Sequence, residues 1–110
     1  MTLGELCGIM RDVGLPYAQV QWDVDGGDAP PPLPYALLVP ETSRDIMAGE
    51  ANRMRLTPYR CEVYTRGRDM ALEGRIEAAL VHARTGFVRR TIPLGAGVLE
   101  TTYTVTITGR

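Results

Sequence analysis

The chain has 110 residues, 45% of them hydrophobic, and a formal net charge of −1 at pH 7. This length suits one domain that folds without a metal or disulfide staple, and so small a charge argues against broad nucleic-acid binding by phosphate neutralisation. No run approaches the ~20 apolar residues of a membrane span, and the start of the chain is too short and acidic for a signal peptide, so we expect a cytoplasmic protein with no membrane partner.

The first predicted element is a helix at 2–13. Thr2 and Glu5 have the spacing of a capping box, and apolar residues recur behind them with the helical period. Gly14 is a typical residue for the end of that helix. The alternating stretch at 17–22 then predicts a strand.

Two long loops are predicted on either side of a central strand. The segment 23–34 contains two glycines and four prolines, which is typical of a loop. The short, nearly all-apolar run at 35–39 predicts a strand in the middle of the sheet. The segment 41–53 has no clean period and is interpreted as a second long loop, of a kind that is usually functional or disordered.

A third strand is predicted at 54–64. Pro58 lies inside it, and a proline in a strand implies either an edge position or a bulge. A second helix is expected at 69–83, with Asp69 as its N-cap and Gly86 at its end.

The end of the chain predicts a hairpin. A short strand at 87–91 is followed by the residues 92–97, IPLGAG, interpreted as a turn. The run 98–108 alternates with period 2, and places Tyr103 on one face and a row of threonines on the other. The predicted fold is therefore α+β, with the order α-β-β-β-α-β-β, a mainly antiparallel or mixed sheet of about five strands, and two helices on one face.

The catalytic inventory of the sequence is thin. His82 is the single histidine and Ser43 the single serine, and neither lies in a catalytic motif. Cys7 and Cys61 are far apart and are interpreted as buried apolar residues. We therefore predict no catalytic residue, no cofactor and no metal.

Two groups of acidic residues are possible sites. Three aspartates of the first long loop loosely resemble a calcium-binding loop, but the glutamate that completes such a loop is missing. Glu73 and Glu77 lie four residues apart on the second helix, where Arg68 and Arg75 could screen them. That arrangement predicts a solvated helix face rather than an acid/base pair.

All 12 basic residues of the chain are arginines. Arginine is favoured at protein interfaces because its planar guanidinium makes bidentate contacts. The arginines around the third and fourth predicted strands have two interpretations. Either they are solvated or interface side chains, or they form a rim that follows the phosphates of DNA inside an assembly.

In the order and spacing of its motifs, the chain resembles the tail-terminator, or tail-completion, family of long-tailed bacteriophages and prophages. The matching features are a Pro-Tyr pair that opens a central strand, a Tyr-x-x-Glu-aliphatic-Tyr-Thr strand, an aspartate and three further residues of the following helix, and a tyrosine in the final strand. In this sequence they are Pro34, Tyr35, Tyr59, Glu62, Val63, Tyr64, Thr65, Asp69, Glu73, Ile76, Leu80 and Tyr103. The resemblance covers about residues 15–108.

The resemblance implies a structural protein of the virion, assembled in the host cytoplasm, and not an enzyme. Such subunits form a homo-oligomeric, hexameric ring that ends polymerisation of the tail tube and contacts the head-tail connector or stopper protein. DNA passes through the lumen without sequence-specific binding. The residues expected at ring interfaces are those of the second long loop and of the strands beside it: Arg44, Asp45, Ile46, Met47, Glu50, Arg53, Arg55, Arg89 and Arg90.

Two other functions stay open at this point. One is a head-side connector, a stopper or adaptor between portal and tail. The other is a small nucleic-acid-binding domain that uses the open sheet face, although the threonine row of the last strand offers no aromatic side chain for base stacking.

Overall fold

A six-stranded mixed sheet carries two helices on one face in the computed structural model, which describes residues 1–22, 29–47, 49 and 53–109. The predicted α+β class is confirmed, although the order is α-β-β-β-β-α-β-β, with one strand more than expected. The elements are α1 Leu3–Asp12, β1 Tyr17–Gln19, β2 Tyr35–Pro40, β3 Arg44–Met47, β4 Arg53–Arg66, α2 Met70–His82, β5 Val88–Gly95 and β6 Val98–Gly109.

Both helices begin where the capping residues predict. The Thr2 hydroxyl accepts a hydrogen bond from the backbone N–H of Glu5, whose side chain accepts from the N–H of Thr2, which confirms the capping box. Asp69 accepts from the N–H of Leu72 at the start of α2. Each cap satisfies backbone donors that the first helical turn leaves without partners.

The helix ends differ from each other. Gly14 follows α1 with φ of 79°, as predicted. After α2 the left-handed position is taken by Arg84, with φ of 54°, and not by Gly86. The N–H groups of Arg84 and Thr85 donate to the carbonyls of Val81 and Leu80, which is the hydrogen-bond pattern of a Schellman motif.

The sheet has the order β1-β2-β4-β6-β5, and β3 also pairs with β4. β1 is parallel to β2, and the other pairs are antiparallel. β1 is shorter than the predicted strand at 17–22, because the backbone turns at Val20, where φ is 69°.

The predicted loop at 41–53 was wrong in part, because it contains β3. β2 and β3 lie end to end along the same side of β4. Pro40 is opposite Tyr59 and Arg44 is opposite Leu56, so the three residues 41–43 connect β2 and β3 outside the paired register. β4 has no bulge at Pro58, because its register with β6 continues through this residue. On its other side Pro58 faces the gap between β2 and β3, which is locally the edge position predicted as one alternative for this proline.

The predicted turn at 92–97 is shorter than expected. β5 continues to Gly95, and the turn consists of Ala96 and Gly97, with φ of 54° and 78°. Positive φ at both central residues is typical of the type I′ turns that join strands tightly. Next to this turn, the register between β5 and β6 shifts by one residue between Pro93 and Gly95.

One face of the sheet, called here the helix face, holds the core. Its buried residues come from α1, α2 and the central strands: Leu6, Cys7, Ile9, Met10, Leu15, Ala36, Leu38, Cys61, Val63, Leu72, Ile76, Leu80, Tyr103, Val105 and Ile107. The opposite face, called here the open face, is covered by neither helix.

Candidate assembly interface

A β-hairpin arm projects beyond the part of the sheet that the helices cover. We define the arm as β3, Arg44–Met47, together with residues 53–56 of β4. All four residues of β3 are exposed, as are residues 53–55. The molecule measures 52 × 34 × 23 Å with a radius of gyration of 15.1 Å, compared with about 13 Å for a compact chain of this length. The molecule is therefore elongated, and the arm has no hydrophobic core of its own.

The two faces of the arm differ in chemistry. Asp45 and Met47 are opposite Arg55 and Arg53, so these four side chains share one face. Arg44 and Ile46 are opposite Leu56 and Met54 on the other face, which continues the open face of the sheet. Ile46, Met47 and Met54 are 40%, 61% and 49% exposed, which leaves apolar side chains in water on both faces.

Asp45 is the electrostatic centre of the arm. Its Oδ1 accepts a hydrogen bond from Nε of Arg55 at 2.9 Å, and Nη1 of Arg53 lies 3.9 Å from Oδ2. The bond from Arg55 lowers the pKa of the Asp45 carboxyl and raises that of the guanidinium. Three of the arm's four charged residues thus form one ion-pair group, and Arg44 makes no salt bridge with any residue that the structure describes.

Arg89, which is predicted as an interface residue together with Arg90, also links β5 to α2 through a group of side chains called here the clasp. Nη1 of Arg89 lies 3.0 Å from Oε2 of Glu77 and 3.5 Å from Oε1 of Glu73. The hydroxyl of the fully buried Tyr103 donates to the same Glu77 oxygen at 3.2 Å. The pKa of Arg89 is raised, mainly by the charge of Glu77.

The clasp also changes the interpretation of the two helix glutamates. Glu73 is buried, so the prediction of a solvated helix face was wrong for this residue. Arg68 does contact Glu73, at 3.3 Å, as expected. Arg75 does not, because it donates to the carbonyl of Val13 and links the end of α1 to α2.

Arg90 points the other way, into a polar basin of about 350 Å³ on the open face. Adjacent residues of a strand face opposite sides of the sheet, which separates Arg90 from Arg89. The basin is lined by three carboxylates, two arginines and residues of β5 and β6: Glu41, Arg60, Glu62, Val88, Arg90, Ile92, Glu100, Thr102 and Thr104. Nε of Arg60 donates to the buried Glu62 at 3.0 Å, and Nη1 of Arg60 lies 3.4 Å from Glu41.

Aromatic side chains lie beside the basin, and the sequence interpretation missed them. The rings of Tyr35 and Tyr64 are 5.2 Å apart, and Trp22 meets Tyr35 edge-on at 5.8 Å. The Tyr64 hydroxyl donates to Glu62 at 2.9 Å, and burial together with this bond raises the pKa of Tyr64. Period-2 alternation in β4 places Tyr64 with Glu62 on one face, which is the signal that could have found this cluster.

The remaining candidate residues from the sequence do not come together in a common site. His82 is exposed at the end of α2, and Cys7 and Cys61 are buried in the core, where burial raises the pKa of the Cys61 thiol to about 12. Across the described residues, no three His, Cys, Asp or Glu side chains are grouped to hold a metal ion. No helix in the same part of the chain is long and apolar enough to cross a membrane. Glu50 and the three aspartates of the first loop lie outside the described residues.

Comparison with known proteins assigns no family to this arrangement. No protein-family model matches the chain, and no curated protein matches its sequence. The arm, the clasp and the basin are therefore the observations from which a function has to be argued.

Proposed function

We propose that the protein is a structural subunit that forms a ring at the head-proximal end of a phage or prophage tail tube, stops its polymerisation and joins the tail to the head connector. The observation that carries this proposal is the arm. It exposes apolar side chains and arginines on strands that have no helix behind them. Solvent-exposed apolar patches of this kind are typical of surfaces that another protein covers.

The rest of the domain does not need the arm for its own packing. The core cluster contains no residue of β3 and none of residues 53–56. The Arg89–Glu77 clasp holds α2 to β5 at the side of the sheet away from β3. The domain is therefore a scaffold that presents the arm, and the resemblance in sequence supplies the kind of assembly.

Within the ring, the arm makes the contact between neighbouring subunits. Ile46 and Met54 supply apolar area, and Arg44 is available for an acidic partner. DNA passes through the lumen without base-specific contacts. The carboxylates around Tyr35 and Tyr64 repel phosphates, which argues against the alternative of a nucleic-acid-binding domain on the open face.

The proposal is tested by complementation in the phage or prophage that encodes the protein. We expect deletion of the gene to give overlong tail tubes without heads, and the wild-type chain to restore uniform tails joined to heads. Met54→Glu, which places a charge in the arm's apolar surface, should fail to restore them. Val81→Glu is the matched control, because Val81 is exposed on α2, away from the arm.

Tube length in electron micrographs is the measurement. Uniform tails in the deletion strain would contradict the proposal. Normal tails without heads, with the protein bound to purified heads instead, would favour the head-side connector.

A further inference from the structure

Three strands, β1, β3 and β5, each have one side that no described strand covers, and β3 and β5 lie on opposite sides of β4. β5 pairs only with β6, and β3 pairs only with β4. The remaining edge strand, β1, is three residues long and stops where the backbone turns at Val20. Short edge strands are a common protection against pairing with other chains.

The protection of β5 is confined to one end. Pro93 and the register irregularity beside it disturb the strand near its turn, and residues 88–92 remain regular. Pro and bulges blunt an edge because they interrupt the row of backbone donors. The regular part of β5 is therefore five residues long, close to the four residues of β3.

Exposed apolar side chains concentrate at the same two edges. Among the described residues, eight large hydrophobic side chains are exposed, and five of them belong to the arm or to β5. Ile46, Met47 and Met54 lie on the arm, and Val88 and Leu94 on β5. Either edge would bury apolar area if it met the other.

The charges of the two edges are complementary. The described part of the arm has three arginines and one aspartate. On the helix side of β5, Glu73 and Glu77 are balanced by Arg68 and Arg89. On the open face, the basin beside β5 holds three carboxylates and two arginines. The arm thus has a net positive charge, and the surroundings of β5 have a small net negative charge.

We propose that β3 of one copy pairs, edge to edge, with residues 88–92 of β5 in the next copy, so that the sheets of neighbouring subunits become continuous. Because the two edges are different surfaces on opposite sides of one subunit, the contact is head-to-tail and repeats from copy to copy. Such a contact closes into a ring when its rotation allows. This inference rests on the proposed ring and names the surfaces that form it.

Cysteine cross-linking tests the pairing. Residues opposite each other in paired strands have Cα atoms about 4.5–5.5 Å apart, within the range of a disulfide. Copies carrying Ile46→Cys are mixed with copies carrying Val88→Cys, Arg90→Cys or Ile92→Cys under mild oxidation, since the register between copies selects one of the three. The native cysteines are buried and give a low background.

The expected result is a mixed disulfide dimer between the Ile46→Cys copy and one of the three β5 variants, and a series of higher multiples when both substitutions are in one chain. Copies with Val81→Cys, an exposed position on α2 and on neither edge strand, should not cross-link with the Ile46→Cys copy. Amide hydrogen exchange of 88–92 in the wild-type chain should slow as the protein concentration rises, which reports the backbone pairing without any substitution.

Each contrary outcome has a distinct meaning. Disulfide dimers between two Ile46→Cys copies would show a two-fold contact and overturn the head-to-tail pairing. Rings that cap tubes in micrographs but give neither the mixed cross-link nor slower exchange would overturn the pairing and leave the proposed function standing. A chain without cross-links that also fails the complementation test would overturn both.

Discussion

The clasp and the arm use the same chemical groups in opposite environments. In the clasp, Arg89 contacts Glu73 and Glu77, and the buried hydroxyl of Tyr103 donates to Glu77. In the arm, Arg55 contacts Asp45 with both side chains well exposed to water. An ion pair built around a buried hydroxyl and a buried carboxylate fixes the position of a helix, whereas an exposed pair contributes little to stability. The clasp therefore stabilises the fold, whereas the arm is the surface that we propose for association.

The largest expected difference between the two regions is in the packing of isoleucine. Ile76 on α2 is 1% exposed, and Ile46 on the arm is 40% exposed. Ile76→Ala should lower the free energy of unfolding by about 2–5 kcal/mol, because it removes packed methylene groups and leaves a cavity. Ile46→Ala should change it by no more than about 0.5 kcal/mol. Urea denaturation of the two variants measures both values, and equal losses would show that the arm packs in the core after all.

The second comparison concerns the hydroxyl of Tyr103. Tyr103→Phe removes the donor to Glu77 and should cost about 1.5 kcal/mol at neutral pH, as expected for a buried hydrogen bond to a charged group. Urea denaturation measures the loss. Tyr59→Phe is the matched control, since its hydroxyl is in no hydrogen bond of the described part of the chain.

The same variant should alter the pH dependence of stability. Burial, and then the charge of Glu77, raise the pKa of Tyr103 above its usual value of 10.0. The stability that depends on the neutral phenol is fully present below about pH 10 and is lost as the pH rises through the raised folded value. Urea midpoints between pH 9 and 11 should therefore fall less steeply in the Phe variant. Parallel slopes would contradict this role, although Tyr64 keeps some slope in both proteins because its pKa is raised too.

Local signals in the sequence predicted most of the fold. Capping residues located both helices, and the alternation of β6 separated Tyr103 from the threonine row. β3 was not predicted, because four consecutive exposed residues show no alternation. Its strand conformation comes from pairing with β4, which is a tertiary contact that a local pattern does not contain.

The candidate interface was predictable in part. The exposure of Ile46 and Met47 agrees with the sequence interpretation. The prediction named both Arg89 and Arg90 as interface residues and did not use the alternation of the strand, which places neighbours on opposite faces of the sheet. Even with the alternation, the sequence does not say which face meets α2, because that depends on the register between β5 and β6. The sequence therefore could not predict which residues contact Glu73 and Glu77.

The smallest expected effect is the titration of Asp45 in the arm. The hydrogen bond from Arg55 lowers the pKa of this carboxyl below the usual 3.8. The stability that the Asp45–Arg55 pair adds is present above about pH 4 and is lost as the pH falls through the lowered pKa of the folded state.

NMR titration of the Asp45 carboxyl should show the lowered pKa in the wild-type chain and a value closer to 3.8 in Arg55→Ala. Arg66→Ala is the control, since Arg66 lies at the end of β4 opposite the arm, and it should leave the titration of Asp45 unchanged. Because both groups of the pair are exposed, the urea midpoint at neutral pH should not change measurably in Arg55→Ala. A clear loss of stability there would mean that the arm is held to the rest of the domain through Asp45, and that the division between a folding clasp and an associating arm is wrong.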